Sequence, residues 1–304
     1  MNGIINVYKE KGFTSFDVCA KLRGILKTRK IGHTGTLDPD AVGVLPVCVG
    51  NATKLCDLLT DKDKTYEAVL LLGVTTDTED ITGTVLTECE VNATEQEVRD
   101  AMMKFVGEYA QVPPMYSAIK VNGKKLYELA REGKVIERQA RNITIHEIDI
   151  LEMTFDEAKP EIVKEVRFAV TCSKGTYIRT LCKDIGEALS CGGCMKSLIR
   201  TRVSAFTIDQ SKTLSEIDAQ MKEQGPEGLL IPVDVIFDEL PKAYVKEECC
   251  KFLYNGNQLK KTHFEQEDML PEAKVRVYDC NKVFTGIYEY DTEKRQYKPV
   301  KMFL

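Results

Sequence analysis

Residues 166–189 constrain the fold of this chain more than any other segment, because the spacing of their apolar residues changes once, from that of a strand to that of a helix. Polar and apolar residues first alternate, which predicts a β-strand whose inner positions are Val166, Phe168, Val170 and Cys172. Apolar residues then recur at helical spacing, at Ile178, Leu181, Cys182, Ile185 and Leu189. A strand followed at once by a helix favours a fold that mixes both.

Other blocks of the same kind lie along the chain. An apolar run at residues 4–7 predicts a strand, and a helical pattern follows behind the cap candidates Thr14 and Ser15. Residues 66–74 read as another strand, and a capping box at Thr94 and Glu97 opens a helix. Residues 31–51 hold many glycines and prolines, so we expect a shaped loop with one short helix there.

The bulk properties indicate an ordinary globular protein. At 304 residues and 43% hydrophobic side chains, the chain has room for one large domain and a small one. No stretch approaches the ~18 apolar residues of a membrane span, so we expect no membrane partner and a cytoplasmic location. The eleven cysteines are scattered and read as reduced thiols. The pair Cys191 and Cys194 lacks further ligands nearby, so no metal site is expected.

Charge is distributed unevenly along the chain. The net charge is −5, yet residues 21–30 contain five basic residues and no acidic one, and residues 117–141 carry a local net charge of +4. A basic face on an acidic body is compatible with RNA binding. Judged alone, these runs equally fit solvated helix faces of mixed charge.

The composition changes after Pro232 and Pro241. A short helix candidate at residues 245–254 precedes strand candidates at residues 274–278 and 283–290. We therefore predict a large domain over residues 1–236, with a basic insertion at about 117–141, and a small β-rich domain over residues 241–304.

One aspartate stands in an unusual local setting. Gly32 and Gly35 precede Asp38, which lets the backbone come close to a bulky partner, and Pro39 biases Asp38 away from helical geometry. The result is an exposed, rigidly presented carboxylate. On these features alone, an ordinary Asp-Pro turn remains an alternative.

Five segments, in order over about residues 3 to 206, resemble the TruB family of pseudouridine synthases. Residues 32–55, GHTGTLDPDAVGVLPVCVGNATKL, are similar to the family's catalytic signature. The other segments are KTYE (64–67), GVTTDTEDITG (73–83), QVPPMYSAIK with VNGKKLYELAR (111–131), and CSKGTYIR (172–179). The chain departs from the pattern at Ser204, where a glycine is expected, and at Cys194 and Met195, which replace bulkier polar residues.

The resemblance implies an α+β fold with a mixed, largely antiparallel sheet of the pseudouridine synthase type, flanking helices and a small PUA-like RNA-binding domain at the C-terminus. It implies conversion of the T-loop uridine of tRNA, position 55 in tRNA numbering, to pseudouridine. Asp38 would be the catalytic carboxylate, as nucleophile or as base. Arg179 would hold it ionised, and Tyr66 would stack on the flipped base and assist proton transfer at C5. The reaction requires no cofactor.

Further residues receive supporting roles from the resemblance. His33 would fill the place that the uridine vacates or contact the backbone, Lys54 and Asp80 would give polar support near the pocket, and Tyr177 and Leu198 would form its walls. RNA phosphates would be bound by basic residues beside the aspartate and on the insertion, namely Arg23, Lys27, Arg29, Lys30, Lys120, Lys124, Lys125 and Arg131. The expected partner is the T-arm of tRNA, with no obligate protein partner and a monomeric state.

Three alternatives remain open at this point. An RNA-binding and tRNA-folding protein could use the same surface without its chemistry. A glycosidase acting on nucleosides or sugars would need two carboxylates in defined roles, whereas the motifs offer one paired with an arginine. The guide-RNA-dependent branch of the same superfamily works inside a larger particle, and the chain lacks the long basic tails that would support it.

Overall fold

The computed structural model describes residues 1–304, which form seventeen strands and seven α-helices. The strands are β1 (Gly3–Lys9), β2 (Ile31–His33), β3 (Val42–Val49), β4 (Lys64–Leu72), β5 (Val74–Thr76), β6 (Val85–Glu88), β7 (Gly107–Gln111), β8 (Lys120–Val121), β9 (Lys124–Lys125), β10 (Arg141–Phe155), β11 (Val163–Cys172), β12 (Gly193–Val203), β13 (Phe206–Thr207), β14 (Lys242–Tyr244), β15 (Lys274–Tyr278), β16 (Phe284–Asp291) and β17 (Gln296–Met302). The helices are α1 (Ser15–Ile25), α2 (Cys56–Thr60), α3 (Glu95–Met103), α4 (Leu126–Arg131), α5 (Ile178–Ala188), α6 (Leu214–Glu223) and α7 (Cys250–Tyr254).

A nine-stranded sheet forms the body of the molecule. Its main path runs β1-β3-β12-β4-β11-β10-β7, with β2 added beside β3 and β13 beside β12. All neighbours are antiparallel except β12 and β3, which pair in parallel over two positions only, Ile199 with Val42 and Arg200 with Gly43. The predicted α+β class with a mixed, largely antiparallel sheet is confirmed.

Burial alternates along the central strand β4, as a sheet with one face on the core requires. Tyr66, Ala68, Leu70 and Leu72 are buried, and the residues between them are half-buried. Helix α5 covers this face with side chains that recur at helical spacing, namely Ile178, Leu181, Cys182 and Ile185, and these belong to the same apolar cluster. The strand and helix predicted at residues 166–189 therefore form the centre of the core.

The prediction of a loop over residues 31–51 is wrong. This segment contains β2 and the buried strand β3, whose sequence VGVLPVCV is almost continuously apolar. Pro46 has no N–H to donate, yet it is tolerated in β3 because its nitrogen faces the end of the short ladder with β2. The direction follows from its carbonyl, which accepts a hydrogen bond from Thr34 N at 3.2 Å, since N and O of one strand residue point the same way.

A second, four-stranded sheet occupies the C-terminal part, in the order β14-β15-β16-β17. Its last residues pack on the first sheet, because Phe303 shares an apolar cluster with Ile4 and Val44. The buried Arg276 donates to the carbonyls of residues 234, 238 and 240 at 3.3, 3.0 and 2.8 Å, which fixes the connecting segment. No helix in the structure combines the length and apolarity needed to cross a membrane.

The departure at Ser204 has a structural cost. Ser204 lies in the turn between β12 and β13 with φ of 53°, the left-handed region that glycine adopts without strain. We expect Ser204→Gly to raise the free energy of unfolding by about 0.5 to 1 kcal/mol, because relief of strain exceeds the added entropy of the unfolded chain. Urea denaturation would measure this. Ser204→Ala, which keeps the strain, should not stabilise, and equal stabilisation by both variants would contradict the prediction.

Candidate active site

Asp38 is carried by the loop between β2 and β3, residues 34–41, which we call the aspartate loop. Three neighbours hold this loop. Lys9 Nζ donates to the carbonyls of Pro39 at 3.0 Å and Ala41 at 2.6 Å, Leu37 N donates to Ser15 Oγ at 2.9 Å, and Gly12 N donates to the Pro39 carbonyl at 2.9 Å. The Asp38 side chain stays 39% exposed, so it is accessible from solvent on a fixed backbone.

Arg179 binds both carboxylate oxygens of Asp38. Its Nε lies 3.0 Å from Oδ2, and its Nη2 donates to Oδ1 at 3.3 Å. The arginine side chain is only 6% exposed. A two-point contact between guanidinium and carboxylate fixes orientation as well as charge. The structure thus brings together the predicted carboxylate and its predicted arginine.

The electrostatics of Asp38 are a balance of opposing effects. Burial and the nearby Asp80 charge raise its pKa above the ordinary value, whereas Arg179 and Lys9 lower it. Burial is the largest of these effects, so the direction is upward. The ionised form that nucleophilic or base chemistry needs therefore depends on the Arg179 guanidinium.

Arg179 is itself anchored on several sides. It belongs to the first turn of α5, and the two polar atoms of the Gln111 side chain bind the backbone of Tyr177, accepting from N at 2.8 Å and donating to O at 3.0 Å. The guanidinium also donates to the carbonyls of Thr78 at 2.9 Å and Tyr116 at 2.8 Å. Since Tyr116 immediately precedes the insertion, the Asp38–Arg179 pair and the start of the insertion share one hydrogen-bond network.

Asp80 gives ionic support at the back of this network. Its Oδ2 lies 3.8 Å from Arg179 Nη1, and its Oδ1 accepts hydrogen bonds from Thr78 Oγ1 at 2.8 Å and from Thr82 N at 2.9 Å. These contacts leave Asp80 fixed and largely buried. The supporting role that the resemblance implies for Asp80 stays a prediction, and the structure places its carboxylate beside Arg179.

Two of the expected pocket residues share an apolar cluster with part of the aspartate loop. Tyr66 and Leu198 are buried in the same apolar cluster as Leu37, the neighbour of Asp38. Burial raises the pKa of Tyr66 and of Tyr177, and the Asp38 charge adds to the rise in both. These two tyrosines therefore stay protonated and lie within electrostatic reach of Asp38.

His33 lies just before the aspartate loop. Its Nδ1 accepts a hydrogen bond from Gly35 N at 3.4 Å. Burial and the Arg200 charge lower the pKa of His33 below its ordinary value of 6.5. The imidazole is therefore neutral at pH 7 and contacts the loop backbone.

Lys54 requires a correction. It lies in a 3₁₀ turn after β3, and its Nζ donates to the carbonyls of Met302 and Leu304, each at 3.0 Å. Strand β3 separates this turn from the aspartate loop by eight residues, or about 25 Å at the usual strand rise. Lys54 therefore attaches the C-terminal end of the chain and does not support the pocket.

The first basic run is also spread out in space. Arg23 lies on α1, with its guanidinium 5.6 Å from the exposed Phe16 ring. Lys30 binds Asn51 Oδ1 at 2.8 Å, so it lies near the end of β3 that is remote from Asp38, and the exposed Lys27 and Arg29 precede it in the same connection. Helix α1 runs away from the aspartate loop, which explains why closeness in sequence does not become closeness in space.

The basic residues of the insertion lie on a small folded unit. Lys120 is on β8, Lys124 and Lys125 form β9, and Arg131 ends α4. Lys125 and Arg131 lie 5.3 and 5.4 Å from the Tyr127 ring, and most of these side chains are exposed. The unit thus presents cations together with one aromatic face to solvent.

Sequence reasoning missed three residues of this site, namely Lys9, Gln111 and Arg200. Lys9 is fully buried, and burial lowers its pKa to about 8. Gln111 stands within a segment quoted for the resemblance, and Arg200 lies between the departures at Met195 and Ser204, but no local pattern marked either residue. A buried polar residue in a strand produces no periodic signal that separates it from an exposed one.

We expect Lys9→Met to loosen the aspartate loop. The change removes the donor for three carbonyls, those of Glu10, Pro39 and Ala41, and should lower the free energy of unfolding by about 2 kcal/mol. Lys11→Met is the matched control, because Lys11 is exposed and its only ionic partner, Asp40, lies 3.9 Å away. Thermal melts of both variants would test this, and equal stability of the two would contradict it.

Comparison with known proteins now defines the class and the family. The chain superposes on a solved structure described as a Cbf5–Nop10–Gar1 complex with a TM-score of 0.71 and 26% identity, covering 99% of this chain and 85% of that one. A second, described as an archaeal box H/ACA sRNP Nop10–Cbf5 complex, gives a TM-score of 0.69 and 25% identity, with 99% and 86% covered. The fold is thus of the pseudouridine synthase class.

Sequence comparison narrows the class. The model of the TruB family pseudouridylate synthase N-terminal domain matches residues 23–178, and that of the tRNA pseudouridylate synthase B C-terminal domain matches residues 179–238. A relative from Lachnoclostridium phytofermentans, named tRNA pseudouridine synthase B, is 68% identical over 100% of both chains. One of the same name from Alkaliphilus oremlandii is 46% identical over 99% of this chain and 97% of its own. The chain belongs to the TruB family of pseudouridylate synthases.

Proposed function

We propose that this enzyme converts the T-loop uridine at position 55 of tRNA to pseudouridine, with Asp38 as its catalytic residue. The observation that carries the assignment is the solvent-accessible Asp38 carboxylate bound at two points by the buried Arg179. Relatives named tRNA pseudouridine synthase B support tRNA as the substrate. The chain also carries the basic insertion that a folded RNA substrate would need.

The chemistry follows from the groups around Asp38. The uracil ring must leave C1′ at N1, turn, and bond to C1′ through C5, so the base has to be flipped out of its stack. Asp38 acts either as a nucleophile or as a base that takes a sugar proton. As C5 bonds to C1′, Asp38 is released from its covalent bond or returns the sugar proton that it took. The C5–H bond then breaks and its electron pair restores the C5–C6 double bond, while the electrons of the C6–N1 double bond return to N1, which takes up a proton from water. The Tyr66 hydroxyl relays the proton to water, and the isomerisation needs no cofactor.

The supporting residues complete the proposal. Tyr66 stacks on the flipped uracil, Tyr177 and Leu198 bound the pocket, and His33 contacts the backbone next to the vacated position. Phosphates are bound by basic side chains, namely Arg23, Lys27, Arg29, Lys30, Lys120, Lys124, Lys125 and Arg131. Residues 1–236 form the catalytic domain, and residues 241–304 form a PUA-like RNA-binding domain. We expect a monomer that acts in the cytoplasm on the T-arm.

The test is an incubation of purified protein with an unmodified tRNA transcript, without cofactor or guide RNA, followed by chemical mapping of pseudouridine. Product confined to position 55, and absent from a transcript with cytidine at that position, is the expected result. Tight tRNA binding without any product would refute the enzymatic proposal and favour the RNA-folding alternative. Activity on free uridine alone would favour the nucleoside glycosidase alternative.

A further inference from the structure

A fully buried arginine lies behind the aspartate loop. Arg200 is on β12 and only 1% exposed, one of the largest side chains to be buried completely. Its guanidinium has no carboxylate within 4 Å and binds two backbone carbonyls instead. Nε donates to Val44 O at 2.7 Å, and Nη2 donates to Gly35 O at 3.3 Å.

This arrangement is costly for the fold. A cation removed from water without an anionic partner loses hydration that two carbonyls restore only in part. Burial accordingly lowers the pKa of Arg200. An apolar side chain of similar volume would fill the same place in the core at lower cost, so packing does not explain a charge here.

The strand register shows what the guanidinium faces. In the antiparallel pair of β12 and β4, Arg200 stands directly opposite Tyr66. Directly opposed residues project to the same face with Cβ atoms about 5 Å apart, and both side chains are buried. The Arg200 charge opposes the effect of burial on the pKa of Tyr66, which agrees with a guanidinium close to the phenol.

The two carbonyls that Arg200 binds lie on either side of Asp38 in the sequence. Gly35 belongs to the aspartate loop, three residues before Asp38, and Val44 lies near the start of β3, just after that loop. One side chain therefore lies opposite Tyr66 on β4 and binds the backbone both before and after Asp38. Arg179, by contrast, reaches Asp38 from α5 on another side.

We propose that Arg200 is a positioning residue, which holds the Tyr66 hydroxyl at a fixed separation from the aspartate loop so that both groups meet one flipped uracil. The proposal rests on the proposed function, because Tyr66 must act on that base. Misplacement of either group by about 1 Å is enough to lower a rate about 100-fold. Arg200 itself touches neither the base nor the sugar.

The experiment uses single-turnover rates with saturating tRNA transcript containing protium or deuterium at uridine C5. Arg200→Met should slow the reaction about 100-fold and enlarge the C5 isotope effect relative to wild type, because the step assisted by Tyr66 becomes limiting. Tyr66→Phe should enlarge it as well. The double variant should be no slower than Tyr66→Phe alone, since both changes disturb one step. Arg200→Lys keeps the positive charge but not the planar guanidinium with its several donors, so it should react faster than Arg200→Met and slower than wild type.

Arg276→Met is the matched control. Arg276 is also a buried arginine bound to carbonyls, in the second sheet, so its loss should lower thermal stability and leave the isotope effect unchanged. Additive losses in the double variant, or an unchanged isotope effect in Arg200→Met, would overturn the proposal. A Tyr66→Phe variant that reacts at the wild-type rate would overturn the role proposed for Arg200 and would leave the proposed function standing. Absence of product from wild type would instead refute the proposed function itself.

Discussion

Asp38→Asn is expected to slow pseudouridine formation by about 10⁴-fold and to leave tRNA affinity unchanged. The amide has the shape of the carboxylate, so the aspartate loop and its contacts with Lys9 and Ser15 are preserved. It offers neither a nucleophilic oxygen nor a base. Both routes open to Asp38 therefore stop, while the exposed cations proposed to bind RNA are untouched.

The aspartate loop supplies its own control for this prediction. Asp40→Asn changes the same residue type two positions away, where the side chain is exposed and lies 3.9 Å from Lys11. It should keep full activity. Single-turnover mapping of pseudouridine and filter binding of tRNA would measure both variants. An active Asp38→Asn enzyme would remove the aspartate from the mechanism, and equal losses in both variants would indicate a general defect of the loop.

The second large effect is expected at Arg179. Arg179→Lys should lose about 100-fold in rate, because one ammonium group cannot reproduce the contacts of a fork that binds Asp38 and the carbonyls of Thr78 and Tyr116. Lys183→Met is the control on the same helix, since Lys183 pairs with Glu187 at 3.0 Å and does not reach Asp38. Single-turnover rates compare the two, and a fully active Arg179→Lys enzyme would contradict the assignment.

Arg179→Met should in addition change the pH dependence. Burial and the Asp80 charge raise the pKa of Asp38, and Arg179 opposes them. Without Arg179 the pKa of Asp38 rises further, so the carboxyl stays protonated to higher pH. The acidic limb of the rate profile should therefore move upward in pH, and part of the lost rate should return as pH increases. An acidic limb at the wild-type position would show that Arg179 does not control the ionisation of Asp38.

How far the sequence predicted this site depended on the kind of information used. Local features left Asp38 as either an exposed carboxylate or a plain turn, and the family resemblance assigned it the catalytic role. The structure then places Arg179, Tyr66 and Asp80 around it. Lys54 was misplaced for a physical reason, since a motif that continues along a strand carries its last residues about 25 Å away.

The hydrophobic pattern of the sequence could not identify the remaining site residues. Lys9 and Arg200 are cations in strands, and the alternation rule assigns such residues to the solvent face. Both are buried because they bind backbone carbonyls that only the folded loop brings within reach. Gln111 likewise acquires its role from the Tyr177 backbone, which lies 66 residues further along the chain. These contacts exist only at the level of tertiary structure.

The separation between Asp38 and Arg179 also bears on how the protein reaches its active form. Their hydrogen bond joins residues 141 positions apart, and β3 and β12, whose short parallel contact lies beside the aspartate loop, are still more distant in sequence. Bringing together residues so far apart in sequence costs chain entropy, which contacts formed afterwards must offset. These pairings therefore belong to the slow phase of folding. During synthesis, the aspartate loop and its contacts with Lys9, Gly12 and Ser15 can form early, but the contacts with Arg179 and Arg200 form only after α5 and β12 have left the ribosome. A nascent chain shorter than about two thirds of the protein therefore contains the Asp38 carboxylate without the complete strand β12, which ends at Val203.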